Sequence, residues 1–81
     1  MESRPRRRTL SEEAYDSIRE QILTGRLKPS LRLVVSVLAK ELQTSPTPIN
    51  EALAALERER LVSYSAHRGY SVSTVPPEMT D

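Results

Sequence analysis

The sequence contains no cysteine, tryptophan or phenylalanine, and its single histidine is His67. Without cysteine there is no disulfide staple, no thiolate metal site and no cysteine nucleophile. One histidine also excludes a multi-histidine metal site. Glycine is nearly as scarce: Gly25 and Gly69 are the only two, and neither belongs to a glycine-rich phosphate loop. No nucleophile–base constellation remains, so no catalytic residue, metal or cofactor is expected. Long apolar runs are missing too. No stretch approaches the ~20 residues that span a bilayer, and the N-terminus lacks the apolar segment of a secretory signal. The expectation is a small, soluble, cytoplasmic domain. Its 81 residues allow one core of marginal size, which favours an oligomeric partner or a further domain.

The net charge of +1 is small, but it is unevenly spread. Residues 1–11 carry Arg4, Arg6, Arg7 and Arg8 against Glu2, whereas residues 12–42 balance five basic groups with five acidic ones. Residues 43–62 and 63–81 each sum to −1. Residues 1–9 therefore form a basic arm. Such an arm either tracks a phosphate backbone and enters a minor groove, or is a solvated tail.

Beyond the arm, Thr9 stands three residues before Glu12, the spacing of a capping box, with Ser11 as a competing cap. Ala14, Ile18 and Ile22 then recur at helical period with Tyr15 beside them. Gly25 offers a left-handed stop and Pro29 bars continuation, so a first helix is predicted over about residues 11–24. Residues 31–33 read as a short extended piece. Val35, Leu38, Ala39 and Leu42 make the face of a second helix, about 35–42, which Val34 cannot cap. After the turn Gln43-Thr44-Ser45-Pro46, Ser45 suits the N-cap and Pro46 the first helical position. Ile49, Ala52, Leu53 and Leu56 then define a third helix, about 46–59. Val62 and Tyr64 alternate, as do Tyr70 and Val72, around Ala66-His67-Arg68-Gly69. This pattern reads as a two-stranded hairpin over 62–73. Pro76 and Pro77 close the domain, leaving 76–81 as a tail or linker.

Three short helices followed by a hairpin, with a turn of about four residues between the second and third helices, match the layout of a winged helix-turn-helix. The fold class is thus mainly α with a small β-hairpin, occupying residues 10–75. In that geometry the third helix enters the major groove of double-stranded DNA. Ser45 and Thr47 offer hydroxyls to phosphate, the free amides of the helix start add an anion site, and Asn50 matches adenine. In the hairpin, His67 and Arg68 reach toward a phosphate or groove edge, with Gly69 permitting close approach. Glu51 would repel phosphate and is assigned a helix-dipole or scaffold role. Each residue also has a plain structural reading: Ser45 as a cap, Thr47 and Asn50 as a solvated face, His67 as turn surface.

These residues resemble a family. The run Tyr15-Asp-Ser-Ile-Arg-Glu-Gln-Ile-Leu-Thr-Gly25-Arg-Leu-Lys-Pro29 is similar to the opening helix and turn of GntR-type bacterial transcription regulators. Leu38-Ala39 followed by Ser45-Pro-Thr47-Pro48-Ile-Asn-Glu51-Ala52-Leu53 resembles their recognition turn and helix. Leu56-Glu57, Leu61-Val62, Arg68-Gly69 and Val72 match the helix exit and wing. The Thr47-Pro48 pair points to the FadR-like subgroup. The resemblance implies a homodimer on a palindromic operator, a nucleoid-associated location, and a small-molecule effector bound by a C-terminal domain outside this chain.

Several positions depart from the family pattern. Arg usually follows the serine of the turn, where this chain has Pro46, and Arg usually stands at the position of Asn50. Ser36 occupies a place near the start of the second helix where many members carry a basic or polar contact. Three family glycines are replaced, by Ser30, Gln43 and Arg60. A side chain in a left-handed conformation costs about 1 kcal/mol. Arg to guanine contributes roughly 1–3 kcal/mol per bidentate pair, so losing both arginines predicts altered specificity or weak binding on a preserved scaffold. The competing reading is a winged-helix module that binds protein and reads no specific DNA sequence.

Overall fold

The computed structural model describes residues 9–74. The basic arm with Arg4, Arg6, Arg7 and Arg8, and the tail 76–81, lie outside the described residues. In chain order the elements are α1 (Leu10–Leu23), β1 (Arg32–Leu33), α2 (Val35–Glu41), α3 (Pro46–Arg58), β2 (Val62–Ser65) and β3 (Gly69–Val72). No helix among the described residues is long and apolar enough to cross a membrane.

Thr9 is the residue that caps α1. Its side chain accepts from the Glu12 amide at 3.1 Å while its own amide donates to the Glu12 carboxylate at 3.1 Å. Ser11 is instead the first-turn neighbour of that box, with its hydroxyl 3.2 Å from that of Thr9. Ala14 and Ile18 are buried, and Tyr15 and Ile22 half-buried, as the helical period requires. Val34 precedes α2 without a side-chain cap.

The predicted wing is part of a three-stranded antiparallel sheet in the order β1-β3-β2. β3 pairs with β2 on one edge, Val62 opposite Val72 and Tyr64 opposite Tyr70. Its other edge takes up the extended piece, with Arg32 opposite Ser71 and Leu33 opposite Tyr70. The pairing is reinforced by Val72 N–H donating to the Leu31 carbonyl at 2.8 Å and Ser30 N–H to the Val72 carbonyl at 2.9 Å. A strand edge left open exposes unpaired backbone groups, and two residues of β1 are enough to close this one.

All twelve side chains of the buried core are apolar. Ile18 of α1, Ile49, Leu53 and Leu56 of α3, and Val62 of β2 are its most fully enclosed members. α3 is thus covered by α1 and α2 and by the β2 side of the sheet. A second tie runs across the surface. The Tyr15 hydroxyl lies 2.6 and 2.7 Å from the two carboxylate oxygens of Glu59, so it fastens α1 to the residue that ends α3. Hydrogen bonding to that carboxylate, with burial, holds the Tyr15 pKa above the ordinary tyrosine value.

Each helix ends on a left-handed residue: Gly25 (φ 86°), Gln43 (φ 58°) and Arg60 (φ 67°). After α2 the Thr44 amide donates to Ala39 and the Gln43 amide to Lys40; after α3 the Leu61 amide donates to Leu56 and the Arg60 amide to Glu57. These are the paired bonds of a Schellman ending, which favours glycine at the left-handed position. Ser30 (φ 73°) follows Pro29 in the turn closed by Leu31 N–H to Lys28 C=O at 3.0 Å. A type II turn likewise favours glycine there.

Two outcomes are expected. Ser30→Gly, Gln43→Gly and Arg60→Gly each raise stability by about 0.5–1 kcal/mol, adding nearly independently. Thermal denaturation checks this at about 4–8 °C per kcal/mol, and lower melting points in all three would contradict it. Tyr15→Phe lowers stability by about 1 kcal/mol, the scale of a partly exposed hydrogen bond. A raised folded-state pKa means that the Tyr15 contribution is complete below the unfolded value of about 10. It is lost as pH climbs through the raised value, so denaturant titrations of the two proteins should converge only at alkaline pH.

Candidate nucleic-acid interface

The start of α3 is shaped by two prolines. Ser45 holds the extended N-cap backbone (φ −79°, ψ 168°), yet its side chain makes no capping hydrogen bond. With α3 beginning at Pro46, the third helical residue is Pro48, which has no amide hydrogen to give. A capping hydroxyl normally accepts from the second or third amide of the helix. Pro48 removes one of those two donors and Ser45 makes no bond to the other, the Thr47 amide, so the N-cap position is as expected but its hydrogen bond is not made and the residue stays exposed. The same two prolines correct the anion site expected from the free amides: the first four amides of a helix lack internal partners, and here two of those four nitrogens carry no hydrogen.

Beyond Ser45 the helix divides sharply. Pro48, Ile49, Ala52, Leu53 and Leu56 are buried, whereas Pro46, Thr47, Asn50 and Glu51 are exposed. At ~100° per residue, Thr47, Asn50, Ala54 and Arg58 follow one another along the exposed side. Glu51 lies beyond the first turn, in which α3 has no acidic residue. A dipole interaction fades past that turn, which leaves the scaffold role of the two expected for Glu51, at an exposed position. Ser36 is exposed on α2, the helix that packs beside α3, with Val37 next to it 50% exposed.

The other predicted residues lie at the tip of the hairpin. His67 and Arg68 are exposed in the turn between β2 and β3. The Arg68 amide donates to the Ser65 hydroxyl at 3.1 Å, which tightens the turn. Gly69 opens β3 with φ 72° and has nothing within 4 Å of where a Cβ would stand. It is needed for its backbone conformation, and the space over it is open to an approaching partner. Behind the tip, Tyr64 and Tyr70 pack with ring centroids 5.0 Å apart at 58°, a tilted arrangement that aromatic pairs prefer. Burial pushes the Tyr70 pKa up.

The structure thus places the predicted residues in two groups, one on α2 and the start of α3, the other at the hairpin tip. Sequence reasoning gave no role to several exposed cations, among them Arg32, Lys40 and Arg58. Arg32 pairs into the wing sheet through β1, Lys40 is on α2, and Arg58 ends the exposed side of α3. The helical period already carried the signal for Lys40 and Arg58. Among the described residues, no group of three or more histidine, cysteine or acidic side chains could hold a metal ion.

Known proteins share this arrangement. Residues 10–72 match the model of bacterial regulatory proteins, gntR family. The chain is 30% identical over 67 residues to the uncharacterized HTH-type transcriptional regulator YdhC of Bacillus subtilis strain 168, covering 83% of this chain and 30% of that protein. It is 30% identical over 73 residues to the HTH-type transcriptional regulator McbR of Escherichia coli K12, covering 90% and 33%. Among solved structures, that of Lar, described as controlling expression of the Listeria monocytogenes agr system and mediating virulence, superposes with a TM-score of 0.77. It has 30% identity over 85% of this chain and 32% of that one. The chain spans about a third of the length of the curated relatives it matches. A family match over nearly all the described residues, on a fold of three helices and a wing, means that the chain belongs to the gntR family of bacterial regulatory proteins.

Proposed function

We propose that this chain is the DNA-binding part of a transcription regulator, which lays α3 in the major groove and the β2–β3 tip against the neighbouring backbone. The observation that carries this reading is the division of α3: Ile49 and Leu53 anchor it from behind while Thr47 and Asn50 stand exposed. Ser36, Ser45, Pro46, Thr47 and Asn50 form the groove-facing group. His67, Arg68 and Gly69 form the wing contact, and Arg4, Arg6, Arg7 and Arg8 add charge along the phosphates. The Ser45 hydroxyl, free of capping, is a phosphate donor in this arrangement. The fuller reading follows the FadR-like pattern of Thr47-Pro48: a homodimer on a palindromic operator, governed by a small-molecule effector on a C-terminal domain beyond residue 81. Reading chromosomal DNA places it in the cytoplasm, at the nucleoid. No cofactor and no catalytic residue take part.

A second reading is favoured by the absence of arginine at Pro46 and Asn50 and by the mildly acidic balance of the segments beyond residue 42. In it the same surface binds a protein. Amide shift mapping with duplex DNA separates the two, because perturbation confined to residues outside 44–50 and 66–69 favours the protein partner.

Duplex binding measured across salt is expected to give a log–log slope of about −2 to −5, from about −0.9 per phosphate contact. A slope near zero counts against phosphate contacts. Asn50→Ala should fold normally, since the side chain is exposed, and should relax base preference by about 1–3 kcal/mol at one position per half-site. Unchanged preference would remove Asn50 from the interface.

A further inference from the structure

Between Lys40 and Arg58 the chain has no lysine, arginine or histidine. That stretch holds the whole turn into α3 and all of α3 before its last residue. Its only charged groups are Glu41, Glu51 and Glu57. The face that α3 leaves exposed is therefore built from Pro46, Thr47, Asn50, Glu51 and, two turns beyond Asn50, Glu57, with the half-buried methyl of Ala54 between the leading residues and Arg58.

The chemistry of base edges sorts what such a face can read. Guanine presents two acceptors, O6 and N7, and calls for a paired donor such as guanidinium. Nothing on the leading part of α3 supplies one. Adenine presents an acceptor at N7 and a donor at N6, which the carboxamide of Asn50 complements with one N–H and one C=O. Thymine presents a methyl group, and small apolar surfaces pack on it. The Pro46 ring and the Thr47 and Ala54 methyls are such surfaces. Arg58 stands eight residues beyond Asn50, about 12 Å along the axis at 1.5 Å per residue, or more than three base-pair steps away. It reaches backbone rather than the same bases. The Thr47 hydroxyl can bond either kind of pair and so does not discriminate, whereas Glu51 suits a G·C pair through the cytosine amino group. Its carboxylate has no cation in the surrounding stretch to offset phosphate repulsion, which weighs against close approach.

We infer that the half-site read by α3 is made of A·T pairs, with Asn50 on adenine and Pro46, Thr47 and Ala54 on thymine methyl groups. The inference rests on the DNA-binding reading and narrows it to one class of sequence. It also divides the labour. Specificity comes from a face whose leading turns carry no cation, while the attraction to phosphate comes from cations beyond it, among them Arg32, Lys40, Arg58 and Arg68.

The test begins with the full chain and a pool of random duplexes at low salt, and the retained duplexes are sequenced. The best of them is then resynthesised with deoxyuridine for thymine, one position at a time, which removes a methyl without touching the protein. Adenine and thymine should be enriched in the half-site. Each contacted methyl should be worth about fourfold in affinity, from about 0.8 kcal/mol per buried carbon. Asn50→Arg should move preference at its position from adenine to guanine by about fivefold or more. Enrichment of guanine or cytosine at those positions, or indifference to deoxyuridine, overturns this inference and leaves the DNA reading in place. A pool that emerges with no sequence enriched overturns the DNA reading itself, and the inference with it.

Discussion

Everything in this domain depends on keeping one side of α3 out of water. Ile49, Leu53 and Leu56 are fully buried, and enclosing side chains of this size contributes about 1.5–3 kcal/mol each. No single neighbour can enclose them. α1 supplies Ile18 and Ala14, α2 supplies Leu38 and Ala39, and the sheet supplies Leu33, Val62 and Val72. Each of those elements is short, and what makes them cohere is that all converge on the same helix. Because the core contains no polar side chain, its cohesion is hydrophobic and non-directional. Direction comes from the edges: the Thr9 cap, the Tyr15–Glu59 tie and the strand pairing of β1.

The same constraint orients the polar side chains. A helix with one enclosed side presents the opposite side to solvent. Thr47 and Asn50 stand out because Ile49, Ala52 and Leu53 are held in. Under the proposed DNA-binding reading, the face that α3 exposes is in the expected position, with Pro46 and Asn50 at the places where the family resemblance predicts arginine. A fold can keep its frame while the residues mounted on it are exchanged. In this chain the positive charge stands around the leading turns of α3 rather than on them.

Much of this was legible before any coordinates. The three helices and the hairpin follow from periodicity, and the exposure of Thr47 and Asn50 follows from the spacing of Ile49, Ala52, Leu53 and Leu56. What was hidden depended on partners distant in sequence. Arg32–Leu33 is a strand only because β3, far along the chain, offers a free edge. The choice of Thr9 over Ser11 was settled by where the first turn begins. Tyr15 and Glu59 are separated by most of the domain, and no local pattern pairs them. One misreading was avoidable. The prolines that suited the start of α3 also removed one of the two amides a Ser45 cap could have used and two of the four an anion would have met, and both residues were in plain view.

The left-handed backbone at Ser30, Gln43 and Arg60 has an evolutionary side. Small domains are marginally stable, and most random substitutions destabilise them. A chain that carries side chains at three places suited to glycine begins closer to the threshold below which it no longer folds. Fewer neighbouring genotypes are then viable, and a new residue on the exposed face of α3 that slightly weakens the core is more readily purged. Glycine at any of the three sites would widen that neighbourhood, acting as a permissive step for later substitutions on the exposed face of α3.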